Sequence, residues 1–365
     1  MEDLFYKIAV SLIPGVGDVN AKKLIAHCGG AEAVFKESKS NLLRIDGLGQ
    51  KIANNIKSTS IMESAEKELQ FIEDNNIQVD FFLDKSYPQR LLHCNDGPIL
   101  LYSKGNINWN AEKVISIVGT RRATVKGQAV CEKLVADLKE FQPTIVSGLA
   151  YGIDITAHQA AMKNDLPTIG IMASGINEVY PRAHQKAAER MQQNGGIATD
   201  YRSDTNILPI NFAERNRIVA GLADAVIVVE SSEKGGSLIT ADLANGYSRD
   251  VFAVPGRISD SQSVGCNRLI KTNKAALIES AKDIAYILNW EKNGKIKPSA
   301  QKQLFVELND EEQHLLNAFG EDNSISIDEL SLKAAMPNSK TAGILLNLEF
   351  KGVIRSLPGK VYEIL

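Results

Sequence analysis

No stretch of the 365-residue chain is long and apolar enough to suggest a membrane span, and its first residues, MEDLFYKIAV, lack a cleavable signal pattern. No membrane role is therefore expected, and the expected compartment is the cytoplasm. Cysteine is scarce: Cys28, Cys94, Cys131 and Cys266 lie far apart with no Cys-x-x-Cys pair. That excludes a disulfide framework or a zinc-ligand pattern and leaves reduced structural thiols. The five histidines show no ligand spacing either, so no metal is expected, and His27, His93 and His314 read as structural. An excess of positive charge is also missing, since 41 lysines and arginines face 44 acidic residues. A broad basic slab for nucleic acid is excluded, and any such grip must come from a local cluster of arginines and lysines.

One further absence is local. Lys113 to Val118 reads as a buried parallel strand ending at Gly119, where a dinucleotide-binding turn would begin. Such a turn needs two more glycines to bring the backbone against a pyrophosphate. Here Thr120, Arg121 and Arg122 follow instead, which argues against a small-molecule cofactor and for a phosphate contact of another kind.

What is present divides into units. Residues 1–75 read as helical and contain a repeat, IPGVGDVNAKKLI (13–25) and IDGLGQKIANNI (45–56). Each copy is an apolar-x-Gly-apolar-Gly hairpin leading into an amphipathic helix with lysine in its first turns. This is the pattern of a paired helix-hairpin-helix module of SAM-like type. Backbone N–H groups at such hairpins hold phosphates without reading bases. The acidic balance of this unit, about −2, favours instead a helical scaffold that keeps the hairpins for packing over strong DNA binding. Residues 76–110 read as a connector with two short strands that extends the next unit.

Residues 111–290 alternate apolar strands with helices. The strands are expected at 113–119, 143–150, 167–175, 195–201, 225–231 and 251–256, with helices at 125–140, 154–163, 183–194, 213–221 and 237–248. This alternation implies an α/β fold, a doubly wound, extended Rossmann-like parallel sheet. Ligands of such sheets sit at the carboxyl ends of the strands. The loops there carry Arg121, Arg122, Arg182, Arg215, Arg217 and Lys234, expected to converge on one edge, with Tyr151, Tyr180, Phe212 and His184 as ring faces. Glycine N–H groups, arginines and flat rings together suit a sugar-phosphate chain whose bases are unpaired. A basic linker is expected at 291–304. Residues 305–365, with a charge of about −5, read as three helices (309–319, 327–336, 339–350) and a hairpin turning at Pro358–Gly359, a winged-helix-like unit. Its acidity favours a protein-contact or structural role over a grip on duplex DNA.

With these loops in view the chain resembles the DprA/Smf family of DNA-processing proteins over nearly its full length. The specific matches are IVGTRRAT, IVSGLAYGID, AHQAAM, VYPRAH, FAERNRIVAGLADAVIVVE, GGSLITADLA, VFAVPG and GCNRLI, in family order. The resemblance implies a cytoplasmic, homodimeric, non-enzymatic protein without cofactor. Such a protein binds single-stranded DNA, protects incoming strands in natural transformation and loads the RecA recombinase on them. It also implies a DNA pocket built from Gly119, Thr120, Arg121, Arg182, Phe212, Arg215, Asn216 and Arg217, with Lys234 and Ser237 nearby; Arg122 and His184 join them on the residue-level reading. The chain departs from the family pattern at Gly235-Gly236-Ser237, Ala213 and Asn273.

The alternative is an enzyme, a nucleotide phosphoribohydrolase on a related doubly wound fold. EKGGSLITAD keeps two glycines of that signature but lacks its Gly-Thr and its glutamate. Asp154 and His158, four residues apart, would be the acid–base pair; the competing reading places Asp154 at a helix start and packs His158 beside it.

Overall fold

Runs of Val, Ile and Ala that are apolar on both faces are stable only in a sheet covered by helices on each side, and such runs form the centre of this molecule. The computed structural model describes residues 2–45, 47–291, 308–320, 324–357 and 359–364. Among them, nine strands form one sheet: β1 (Gln78–Phe81), β2 (Leu100–Asn106), β3 (Val114–Val118), β4 (Thr144–Gly148), β5 (Thr168–Ile171), β6 (Gly195–Thr199), β7 (Ala225–Val228), β8 (Asp250–Ala253) and β9 (Ala276–Leu277). Their order is β1-β2-β6-β5-β4-β3-β7-β8-β9. From β6 to β9 every pairing is parallel, while β2 joins β6 antiparallel and β1 joins β2 antiparallel. The doubly wound sheet expected from the alternating pattern is present, and its chain order reverses between β3 and β7.

The period of two along each strand sorts its side chains onto two faces. Val114 and Val118 of β3, with Val146 and Ile169, pack against the helices Pro209–Gly221, Gly236–Gly246 and Val264–Lys271. Ile115 and Ile117, with Ile145, pack on the other face against Val125–Leu138, Ile153–Lys163 and Ala281–Ile287. Ser116 interrupts the first face, and its hydroxyl donates to the Val219 carbonyl at 2.6 Å, so the buried polar group is satisfied. Each aliphatic side chain buried this way contributes about 1.5–3 kcal/mol.

The N-terminal helices begin with Glu2–Ser11 and end with Thr59–Asp74. The repeat is real in three dimensions: Gly15 and Gly47 adopt matching left-handed φ of 83° and 86°, and helices start at Asp18 and Gln50. The apolar core of this unit runs on without a break into Phe81, Leu100, Tyr102 and Ile197 at the antiparallel edge of the sheet. The C-terminal unit contains helices Asp310–Asn317, Ile327–Lys333 and Asn338–Phe350 around its own core, with strands β10 (Ser324–Ser326), β11 (Ile354–Leu357) and β12 (Val361–Ile364). The expected hairpin is β11–β12; β10, unforeseen, adds to β12 as a third strand. The expected linker at 291–304, apart from Glu291, and Pro358 of the expected turn lie outside the described residues. No helix among the described residues is long and apolar enough to cross a membrane.

Candidate nucleic-acid interface

The reversal of strand order between β3 and β7 opens a crevice at the carboxyl ends of the strands, the position that doubly wound sheets use for ligands. A cleft of about 360 Å³ occupies it, walled by Gly119, Thr120 and Arg121 after β3, Gly148 and Ala150 after β4, Phe212, Arg215 and Asn216 on one helix, and Gly235 to Ser237 after β7. Seven of the residues expected to bind DNA (Gly119, Thr120, Arg121, Phe212, Arg215, Asn216 and Ser237) therefore meet in one place.

The loop after β3 is held by its neighbours. The Thr120 N–H donates to the Glu230 carbonyl at 2.8 Å. The Glu230 carboxylate accepts from the Thr124 N–H at 2.9 Å and the Thr124 hydroxyl at 2.6 Å, and Thr124 in turn accepts from the Gly127 N–H, capping the helix that follows. On the other side, Gly152 has φ of 79°, and a β-carbon there would lie 2.2 Å from the Thr120 carbonyl oxygen. Only glycine permits that backbone-to-backbone approach. Arg121 thus stands on a fixed loop with an exposed side chain, and its guanidinium lies over the Phe212 ring at 4.9 Å.

Arg215 forms the floor of the cleft. It is 4% exposed, donates to the Ile171 carbonyl, and lies so close over Gly148 that a β-carbon would fall 2.4 Å from its guanidinium. Asp154, buried in the first turn of Ile153–Lys163, lines the same floor. Burial raises the Asp154 carboxyl to about 6, against the opposing pull of Arg215 and Arg121. Burial likewise lowers the pKa of Arg215, with Asp154 opposing. His158 is fully buried, its Nδ1 2.7 Å from the Thr168 hydroxyl, and burial pushes its pKa down to about 3. Its polar contact is thus with Thr168 in the sheet.

The expected convergence of all the basic residues needs correction. Arg217 is absent from the cleft: it pairs with Asp200 at 2.5 Å and Asp18 at 2.9 Å and donates to the Asp96 carbonyl. The reason is helical geometry, because two residues along a helix turn the side chain by about 200°, so Arg215 and Arg217 leave on opposite sides. Arg217 instead bolts the first hairpin's helix to the end of β6. His184 is also not an open contact. It is 7% exposed, its Nδ1 sits 2.8 Å from the Leu149 carbonyl, and its ring meets Tyr151 edge-on at 4.9 Å. Ser237 does wall the cleft, but its hydroxyl donates to Ser231 at 2.9 Å. Arg122, Arg182 and Lys234 are exposed and lie outside the cleft wall, and Arg182 is 3.7 Å from Glu178. Glu230 was missed in the sequence: it reads as the polar end of a strand, and only the fold brings it across to Thr124. Among the described residues, no group of three or more His, Cys, Asp or Glu is placed to hold a metal ion.

Fold and site together define a doubly wound α/β protein with an arginine-bearing cleft at its switch point, flanked by a helix-hairpin-helix unit and a winged-helix unit. Residues 78–289 match the family of DNA recombination-mediator protein A, residues 299–360 the DprA winged helix domain, and residues 8–68 a helix-hairpin-helix motif. The chain belongs to that DprA/Smf family. It is 39% identical over 202 residues to DNA processing protein DprA of Streptococcus pneumoniae, covering 55% of this chain and 71% of that one. It is 28% identical to protein Smf of Synechocystis over 98% of both chains. The crystal structure of the Streptococcus pneumoniae protein superposes with a TM-score of 0.68 at 31% identity, over 79% of this chain and 98% of that one. DNA processing protein A from Helicobacter pylori, a structure concerned with its single-stranded DNA binding mode, gives 0.53 at 28% identity, over 59% and 98%.

Proposed function

We propose that this protein binds single-stranded DNA along the carboxyl edge of its parallel sheet. There it guards incoming strands and loads the RecA recombinase on them in natural transformation, working as a cytoplasmic homodimer without cofactor. The observation that carries the reading is the switch-point cleft, in which Arg121 lies over Phe212 on a loop that has Thr120 and Arg121 where a dinucleotide turn would need glycines. Arg121 and the backbone of Gly119 and Thr120 take a phosphate; Phe212, Asn216 and the buried Arg215 shape the cleft beside it; Arg122, Arg182 and Lys234 add outer contacts as the strand leaves. The relative whose structure concerns single-stranded DNA binding supports the same ligand here. A non-enzymatic role is supported by Asp154 and His158: the carboxyl lies on the cleft floor beside Arg215, and the imidazole is buried against Thr168. Of the two, only the carboxyl lines the cleft, so they do not act on a ligand as an acid–base pair.

Fluorescence anisotropy with a labelled oligonucleotide, single-stranded against blunt duplex at several salt concentrations, tests this. Tighter binding of the single strand, with a linear log–log salt dependence, is expected. Equal or tighter binding of the duplex at physiological salt refutes it.

A further inference from the structure

Four rings stand at the carboxyl edge of the sheet, and the structure divides them into two pairs. Tyr180 meets Phe212 edge-on with centroids 5.6 Å apart, and Tyr151 meets His184 edge-on at 4.9 Å. Within each pair one ring is covered and one is open. Phe212 is part-buried with Arg121 over its face, and His184 is buried and held to the Leu149 carbonyl. Tyr151 is 51% exposed and Tyr180 48% exposed. A base stacks on a ring only where a face is free, so the tyrosines are the surfaces offered to it and the other two rings are their supports.

Tyr151 is the better placed. Its neighbour Ala150 walls the cleft, and its other neighbour Gly152 lies backbone against backbone on Thr120 and Arg121. The ring is therefore carried by the same packed backbone that holds Arg121, and its T-shaped contact is with a His184 that is itself buried and bonded to the Leu149 carbonyl. A tyrosine orders only two side-chain torsions on stacking, so it supplies contact area at low entropic cost.

We propose that Tyr151 is a base-stacking platform for an unpaired nucleotide adjacent to the one held in the cleft. Stacking on a ring ignores base identity, so this contact selects unpaired over paired DNA without reading sequence. The inference rests on the cleft being a single-strand site, and its test separates the two.

The test titrates wild type, Tyr151→Ala and Tyr151→Phe with a labelled oligonucleotide and with the same oligonucleotide carrying abasic positions, each over a series of salt concentrations. Circular dichroism and sizing control for folding and association. Tyr151→Ala is expected to bind roughly 5- to 150-fold more weakly, with an unchanged salt slope, because no phosphate contact is lost. Tyr151→Phe keeps wild-type affinity. Removing bases weakens the wild type and Tyr151→Phe, and weakens Tyr151→Ala by a smaller factor. A folded Tyr151→Ala with wild-type affinity, with a shallower salt slope, or with undiminished sensitivity to abasic positions overturns the platform while leaving the cleft intact. A wild type that binds no single strand refutes the cleft reading and the platform with it.

Discussion

Replacing Arg217 and Arg121 one at a time separates a structural arginine from a ligand-facing one on neighbouring elements. Arg217 has a side chain 16% exposed, is bonded to Asp200 and Asp18, whose side chains are 12% and 26% exposed, and also reaches the Asp96 carbonyl. Burial opposes its charge, but the Asp200, Asp18 and Asp96 carboxylates outweigh that and raise its pKa. Arg217→Ala leaves two carboxylates facing each other without their cation. Breaking a buried pair by removing one partner costs about 3–5 kcal/mol. Because Asp18 retains some access to water, the lower end, about 3 kcal/mol, is expected here, a large share of a typical folding free energy of about 5–15 kcal/mol. Asp200→Asn should return part of that loss, since it removes the orphaned charge. Arg121, on an exposed loop, should change stability by no more than about 0.5–1 kcal/mol when replaced by alanine, the worth of its contact with Phe212. Its effect belongs to binding: the log–log salt slope for single-stranded DNA should become shallower by about 0.7, the value for one lost phosphate contact. Urea denaturation gives the first quantity and anisotropy titrations at several salt concentrations the second. If Arg217→Ala keeps full stability and instead loses salt slope, the ion-pair assignment is refuted and Arg217 belongs to the DNA surface.

Asp154 makes both stability and binding depend on pH. An unfolded aspartate ionises near about 3.9, whereas burial holds Asp154 protonated up to about 6 in the folded chain. Between these values the folded state binds the extra proton, so stability falls as pH rises through this window and levels off above it. Protonation also removes a negative charge from the cleft, so affinity for single strands should rise as pH falls through about 6; Asp154→Asn should abolish this change, and a variant with an unaltered pH profile would refute the assignment. Deleting residues 305–365 should leave single-strand affinity unchanged or slightly raised, because none of the described residues in this segment walls the cleft and its charge of about −5 repels phosphate. A large loss of affinity in a folded truncation of unchanged oligomeric state would show that the surface has been misplaced.

The alternation of apolar strands and helices was legible in the sequence because a buried parallel strand must be apolar on both faces and a covering helix on one. β3 to β7 lie within the segments so expected, β8 begins one residue ahead of its segment, and the two glycine hairpins were recognisable because their left-handed turns exclude most other residues. The general rule for doubly wound sheets pointed to the loops after the strands, where Arg121, Arg215 and Phe212 were expected with Arg122, Arg182, Arg217 and Lys234, and the family resemblance added Gly119, Thr120, Asn216 and Ser237; of these, seven meet in the cleft. What the sequence could not determine was which way each side chain leaves its element and what it meets there. Arg215 and Arg217 are two residues apart in one helix, yet one floors the cleft and the other locks a hairpin helix to the sheet. His184 and Tyr151 look equally suited to stacking, yet only Tyr151 keeps an open face. Glu230 has no local feature that marks it, and Thr124, more than a hundred residues away in sequence, becomes its partner only when β3 and β7 lie side by side. Local patterns set the strands and helices; long-range packing, which depends on distant residues at once, decided which charges face the ligand and which are spent holding the protein together.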